Sequence, residues 1–115
     1  PNASDRILSD KKKPGGAIYI HGDCVTIGCI PIEDDPVEEV YLAALEARAA
    51  GQGEIPIHVF PTRLTDEALK KVGEDQPEHL EFWTNLKEGY DLFEASRKLP
   101  KVVVEKTGKY RFGAK

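Results

Sequence analysis

Apolar residues keep one period in some stretches of this chain and another elsewhere, and each change of period marks an element. Residues 1–16 (PNASDRILSDKKKPGG) are polar and rich in turn formers, which predicts an irregular arm. GAIYIHG (16–22) is a short apolar run with β-branched and aromatic members between glycines, which predicts a buried strand ending at His21. Residues 22–34 read as a loop holding both cysteines. Val37, Val40, Tyr41, Ala44 and Ala47 then recur at helical spacing, with Leu45 beside them, and predict a helix over about 36–50. Asp35 is placed to cap it, Pro36 fits the first helical position, Glu38 would complete a capping box, and Gly51 ends it.

IPIHVFP (55–61) predicts a second strand beside the first, with Pro56 near its start, where a missing amide is tolerated. A short helix over about 65–72 and a long one over about 77–98 follow. In the long helix Phe82, Leu86, Tyr90 and Phe93 share one side, with Trp83 beside them, a spacing that signals core packing rather than a ligand box. Pro100 stops it, and VVVE (102–105) and KYRF (109–112) flank a turn at Thr107-Gly108. The order of elements implies a mixed α and β domain, an α+β fold with three helices.

Length and composition narrow the possibilities. With 115 residues, 40% hydrophobic and 31% charged, the chain is one domain or part of one. Such a chain can bury roughly two thirds of its unfolded surface, so a packed core is expected. A net charge of −4 leaves no basic surplus for a nucleic-acid backbone, and Lys11–Lys13 read as a solvated loop. No apolar run approaches the ~20 residues a membrane-spanning helix needs. There is no methionine, and the chain opens on Pro1-Asn2 without an apolar leader, so it reads as a processed or partial chain.

The chemistry concentrates in HGDCVTIGC (21–29). A Cys24–Cys29 disulfide would close a very short loop, with little gain and some strain. A metal site could draw on His21, Asp23, Cys24, Cys29 and His58, but H-x2-C-x4-C is not a usual zinc spacing. A nucleophile reading uses more of the residues. His21 ends a strand and is held firmly, the loop returns to Cys29, and an imidazole both takes a thiol's proton and lowers its pKa. Gly28 lets the backbone turn and its amide approach an oxyanion, while the Gly22 carbonyl can accept from the second imidazole nitrogen and fix its tautomer. On this reading Cys24 is a small buried residue. All three readings stay open on the residues alone. Elsewhere, His58 reads as structural and His79 as exposed. Arg63 is either a member of an ion pair or a carboxylate binder.

HG…TIGC resembles the active-site signature of the L,D-transpeptidase catalytic domain, the YkuD-type family, in which His-Gly is followed by Ser-His-Gly-Cys-x-Arg. His21, Gly22, Gly28 and Cys29 match, with Thr26 in place of the serine. PNASDR, IYIHG, VEEVY, HVFPTR and FWTNLKEGYDLFE are similar to the YafK-like branch, so the likeness covers most of the chain. The resemblance implies a partial catalytic domain over residues 1–115, the C-terminal part of a mixed sheet with its helices, lacking the strands that precede this region in the family, with exposed strand edges open to a second copy. It implies acyl transfer on peptidoglycan stem peptides in the periplasm or cell envelope, without cofactor or resident metal. Cys29 would be the nucleophile, His21 the base and Gly22 its orienting carbonyl, with amides at Gly28 and Cys29 holding the oxyanion. Thr26, Arg63, Asn2 and Arg6 are candidate substrate contacts. Ile27 and Pro31 stand where the cross-linking enzymes carry histidine and arginine. The branch is associated with hydrolysis of the amide that ties a lipoprotein to peptidoglycan, which ranks hydrolase above transpeptidase. A zinc-binding or purely structural module remains the rival of another class.

Overall fold

The computed structural model describes residues 2–13, 15–23 and 28–113. They form α1 (Ala3–Leu8), β1 (Ile20–His21), β2 (Ile30–Pro31), α2 (Asp34–Ala49), α3 (Asp66–Asp75), a 3-10 turn (Pro77–His79), α4 (Leu80–Ser96), β3 (Lys101–Val104) and β4 (Tyr110–Gly113). The fold is α+β, as expected. The strands described form two separate two-stranded sheets, β1–β2 parallel and β3–β4 antiparallel, in place of one mixed sheet. The chain divides into two compact units, Gly15–His58 and Pro1–Pro14 with Val59–Lys115.

The larger unit is built on the hairpin. β3 and β4 pair from Lys101↔Gly113 to Val104↔Tyr110, and Gly108 takes φ +91° at the turn, a conformation glycine adopts without penalty. α4 packs on β4. Gly89 is buried because a Cβ there would strike the Phe112 ring, so the helix closes onto the sheet at a residue without a side chain. Beside it the Asn85 side chain both donates to the Tyr110 carbonyl and accepts from the Tyr110 amide, each at 2.8 Å. A side-chain amide thus substitutes for a neighbouring strand. Phe60 meets Tyr90 edge to face at 5.5 Å, and Leu64 is completely buried. Of the α4 stripe, Leu86, Tyr90 and Phe93 are half-buried, as is Trp83 beside them, whereas Phe82 at the start of the helix is exposed. Thr65 caps α3 by accepting from the Ala68 amide at 3.2 Å.

The N-terminal arm is a helix, not an irregular loop. Asn2 accepts from the Asp5 amide and the Asp5 carboxylate accepts from the Asn2 amide, a reciprocal capping box that satisfies two otherwise orphaned donors. Six residues are too few for an independent helix, and tertiary contacts complete it. Ser4, 1% exposed, donates to the Gly108 carbonyl at 2.5 Å, and Asn2 donates to the Tyr110 hydroxyl at 2.8 Å.

In the smaller unit α2 packs against β1. Val37, Ala44 and Ala47 are half-buried, whereas Val40, Tyr41 and Leu45 of the expected apolar face are exposed. α2 begins at Asp34, with Glu33 at the cap position and no side-chain capping bond, so Asp35 does not cap it and no Glu38 box forms. Pro36 lies within the first turn, where an amide would have no intrahelical partner. The expected strand at 55–61 has no ladder partner among the described residues. Ile55, Ile57 and Val59 are exposed while His58 between them is half-buried, so the alternation persists without pairing.

Candidate active site

β1 carries His21, and Cys29 directly precedes β2. Ile20 pairs with Ile30 and His21 with Pro31, and the ladder is extended by bonds from the Ile30 amide to the Tyr19 carbonyl (2.8 Å) and from the Ile32 amide to the His21 carbonyl (3.0 Å). The loop reading missed β2. Two residues cannot show a period, and a connection this short ordinarily implies antiparallel strands, since parallel pairs usually need about a dozen residues or more to cross over. The tightness is visible in the backbone: Asp23 sits at φ +62° and Gly28 at φ +144°. Gly28 lies in the positive-φ region, a backbone conformation that favours glycine, and among the described residues no atom lies within 4 Å of a Cβ built there.

Cys29 follows Gly28 directly, is half-buried and is present as a thiol. It precedes Pro31, the register partner of His21, by two residues. Strand alternation gives residues 29 and 31 the same parity, and one strand spacing across and two residues along is roughly 8 Å between Cα atoms. His21 is half-buried, and its Nδ1 donates to the carbonyl of Gly22. A carbonyl only accepts, so the proton is on Nδ1 and the Nε2 lone pair of the neutral ring is left available.

Gly22 leaves room for the Asp34 side chain, which a larger residue would turn aside. A Cβ there would run into the carboxylate of Asp34. The same carboxylate accepts from the Asp23 amide at 2.9 Å. Asp23 is held in the left-handed region, and Glu33, just before Asp34, lies at φ 68°, ψ 169°, a region otherwise nearly confined to glycine. Such a conformation costs on the order of 1–3 kcal/mol and persists only where surrounding structure enforces it. The sequence pattern places Asp34 in the loop because it starts the helix at Pro36, two residues later than the observed start. The run of two acids before Pro36 was the available signal, and it does not distinguish a capping acid from one turned back onto the loop.

The remaining expected site residues belong to the larger unit or fall outside the described residues. Cys24, Thr26 and Ile27 are among the latter. Arg63 is exposed, and its carbonyl accepts from the Thr65 amide at 2.9 Å. Asn2 is engaged in the α1 cap and with Tyr110, and Arg6 is an exposed α1 residue whose carbonyl accepts from Lys11. All three belong to the larger unit. Among the described residues no three His, Cys, Asp or Glu side chains gather as a metal site, and no helix is long and apolar enough to cross a membrane.

Comparison with known proteins bears on this geometry. No family model matches the chain. The chain is 36% identical over 104 residues to "Putative L,D-transpeptidase YafK" of Escherichia coli strain K12 and, to the same extent, to the protein of that name from Escherichia coli O157:H7. The matched segment is 90% of this chain and 40% of each relative, so the chain spans about two fifths of the length of the curated relatives it matches. This similarity supports a relationship to the YafK-like L,D-transpeptidases over the part of them that the chain covers.

Proposed function

We propose that the protein is a cysteine-dependent acyl-transfer enzyme acting on peptidoglycan in the periplasm or cell envelope. The observation that carries this reading is the bond from His21 Nδ1 to the Gly22 carbonyl, with Cys29 directly preceding the strand that pairs with β1. In the proposed reaction Cys29 Sγ gives its proton to His21 Nε2 and attacks the amide carbonyl carbon at a diaminopimelate centre. The oxyanion rests on amides at Gly28 and Cys29. Collapse breaks the C–N bond, and the leaving amine takes the proton from Nε2, leaving a thioester on Cys29. Water then attacks the thioester, its proton passes through His21 to the departing sulfur, and a carboxyl product is released. Cofactor and metal have no part in the scheme.

The preferred substrate is the amide joining a lipoprotein to the stem peptide. Pro31, where cross-linking relatives have arginine, is the β2 residue paired with His21. A proline ring offers no donor to a carboxylate, so this strand position does not favour capture of an anionic acceptor. The second reading, transfer to an amine acceptor, draws support from the printed name of the relatives, L,D-transpeptidase.

The two readings separate by product mass after incubation with lipoprotein-linked muropeptides, with and without a diaminopimelate-bearing acceptor. Release of a stem peptide with a free carboxyl group supports hydrolysis, and cross-linked dimers as the main product reverse the ranking. Intact-mass measurement tests the class itself: a stem-peptide adduct must form on Cys29 and be absent from Cys29→Ala. A turning-over preparation without that adduct and with an active Cys29→Ala variant would remove cysteine chemistry from consideration.

A further inference from the structure

Asp34 stands at a point the reaction scheme does not use. It is the first residue of α2, yet its side chain is turned back across the ladder end, accepting from the Asp23 amide at 2.9 Å. Its carboxylate also occupies the space a side chain at Gly22 would need. Gly22 and Asp23 are the turn directly after His21, and the Gly22 carbonyl is the acceptor of His21 Nδ1. Both residues that bring the carboxylate and the amide together, Glu33 and Asp23, have positive φ. An ordinary first-turn acid requires none of this, since it acts on the helix dipole from any solvated position.

We propose that Asp34 is a positioning residue for His21. By clamping the Asp23 amide it fixes the peptide plane between Gly22 and Asp23, whose carbonyl oxygen belongs to Gly22 and whose N–H belongs to Asp23. One plane carries both groups, so a carboxylate on its N–H side sets where the oxygen on the other side points. That oxygen holds the proton on Nδ1 and keeps Nε2 as the base. The inference rests on the proposed role of His21 for its catalytic consequence, but its structural half does not require it.

The test uses the present chain with labelled histidine, read by long-range nitrogen–proton NMR at a pH where the His21 ring is neutral. In the wild type and in Cys29→Ala, His21 is expected as the Nδ1–H tautomer. Asp34→Ala should shift it to a mixture and slow acyl-adduct formation on Cys29 by about 10–100-fold, the scale of an ångström-level misplacement. Asp34→Asn keeps an acceptor oxygen and should restore most of both. Asp35→Ala, which removes a first-turn charge without touching the clamp, should change neither. Should Asp34→Ala fail to fold, Gly22→Ala supplies the second arm. Its Cβ needs the space of the Asp34 carboxylate, so it too should shift the tautomer to a mixture. An unchanged tautomer in Asp34→Ala, or equal effects of Asp35→Ala, overturns the clamp. A tautomer that depends on Asp34 in a protein forming no adduct on Cys29 instead leaves the clamp standing and overturns the proposed function.

Discussion

At the scale of single residues, the described groups at the His21 turn are one imidazole nitrogen, the Gly22 carbonyl it donates to and the Asp34 carboxylate on the Asp23 amide. Cys29→Ala is expected to abolish turnover while leaving the thermal midpoint nearly unchanged, because a half-buried sulfur contributes little packing. Loss of the folded state in that variant would mean the thiol is a core residue. Glu33 makes the opposite kind of prediction. Its backbone conformation suits only glycine, so Glu33→Gly should raise stability by about 1 kcal/mol in urea unfolding, the relieved strain exceeding the added unfolded-state entropy. A destabilised variant would show that the Glu33 side chain contributes more than its backbone costs.

Among elements, α1 and the β3–β4 hairpin form a unit whose joints are polar. Ser4 donates to the Gly108 carbonyl from a buried position, and Asn85 serves both main-chain groups of Tyr110. Asn85→Leu leaves a donor and an acceptor at the sheet edge without their partner and should cost roughly 2–3 kcal/mol. Ser4→Ala removes one donor and leaves only a carbonyl, for about 1 kcal/mol. Chemical denaturation of the two variants checks the order, and a larger loss from Ser4→Ala would contradict it. These joints also explain why the helix at 3–8 is not apparent from periodicity: a six-residue helix owes its existence to its cap and to Gly108, which is a hundred residues away.

For the molecule as a whole, the surface pair Glu81–Lys109, at 2.5 Å, ties α4 to the hairpin electrostatically. Its hydrogen bond to Lys109, reinforced by that residue's charge, holds Glu81 below its ordinary value of 4.5. The same bond holds Lys109 above its ordinary 10.5. A lowered carboxylate contributes stability above about pH 4.5 and loses it as pH falls through its folded pKa. A raised lysine contributes below about pH 10.5 and loses it as pH rises through its own. The unfolding midpoints of the wild type and Glu81→Gln should therefore differ at neutral pH and converge at strongly acid and strongly alkaline pH. The difference should be small and shrink with salt, because both groups are exposed. A gap that widens in acid would show that Glu81 acts through something other than Lys109.

What the sequence determined by itself is local or periodic. The apolar spacing after Pro36 and along 80–96 and the glycine turn at 108 were legible because each rests on neighbours a few residues apart. The His21–Gly22 and Gly28–Cys29 pairs could be read from the order of residue types, together with the resemblance they carry. Tertiary structure alone decided the rest. It set the parallel direction of β1 and β2, which two-residue strands cannot encode. It left 55–61 without a ladder, because a strand exists only where another offers its amides and carbonyls. It moved the start of α2 to Asp34, whose carboxylate binds the Asp23 amide instead of capping the helix. A side chain with two competing backbone donors within reach goes to the one the fold presents, and no pattern of residue types states which that is.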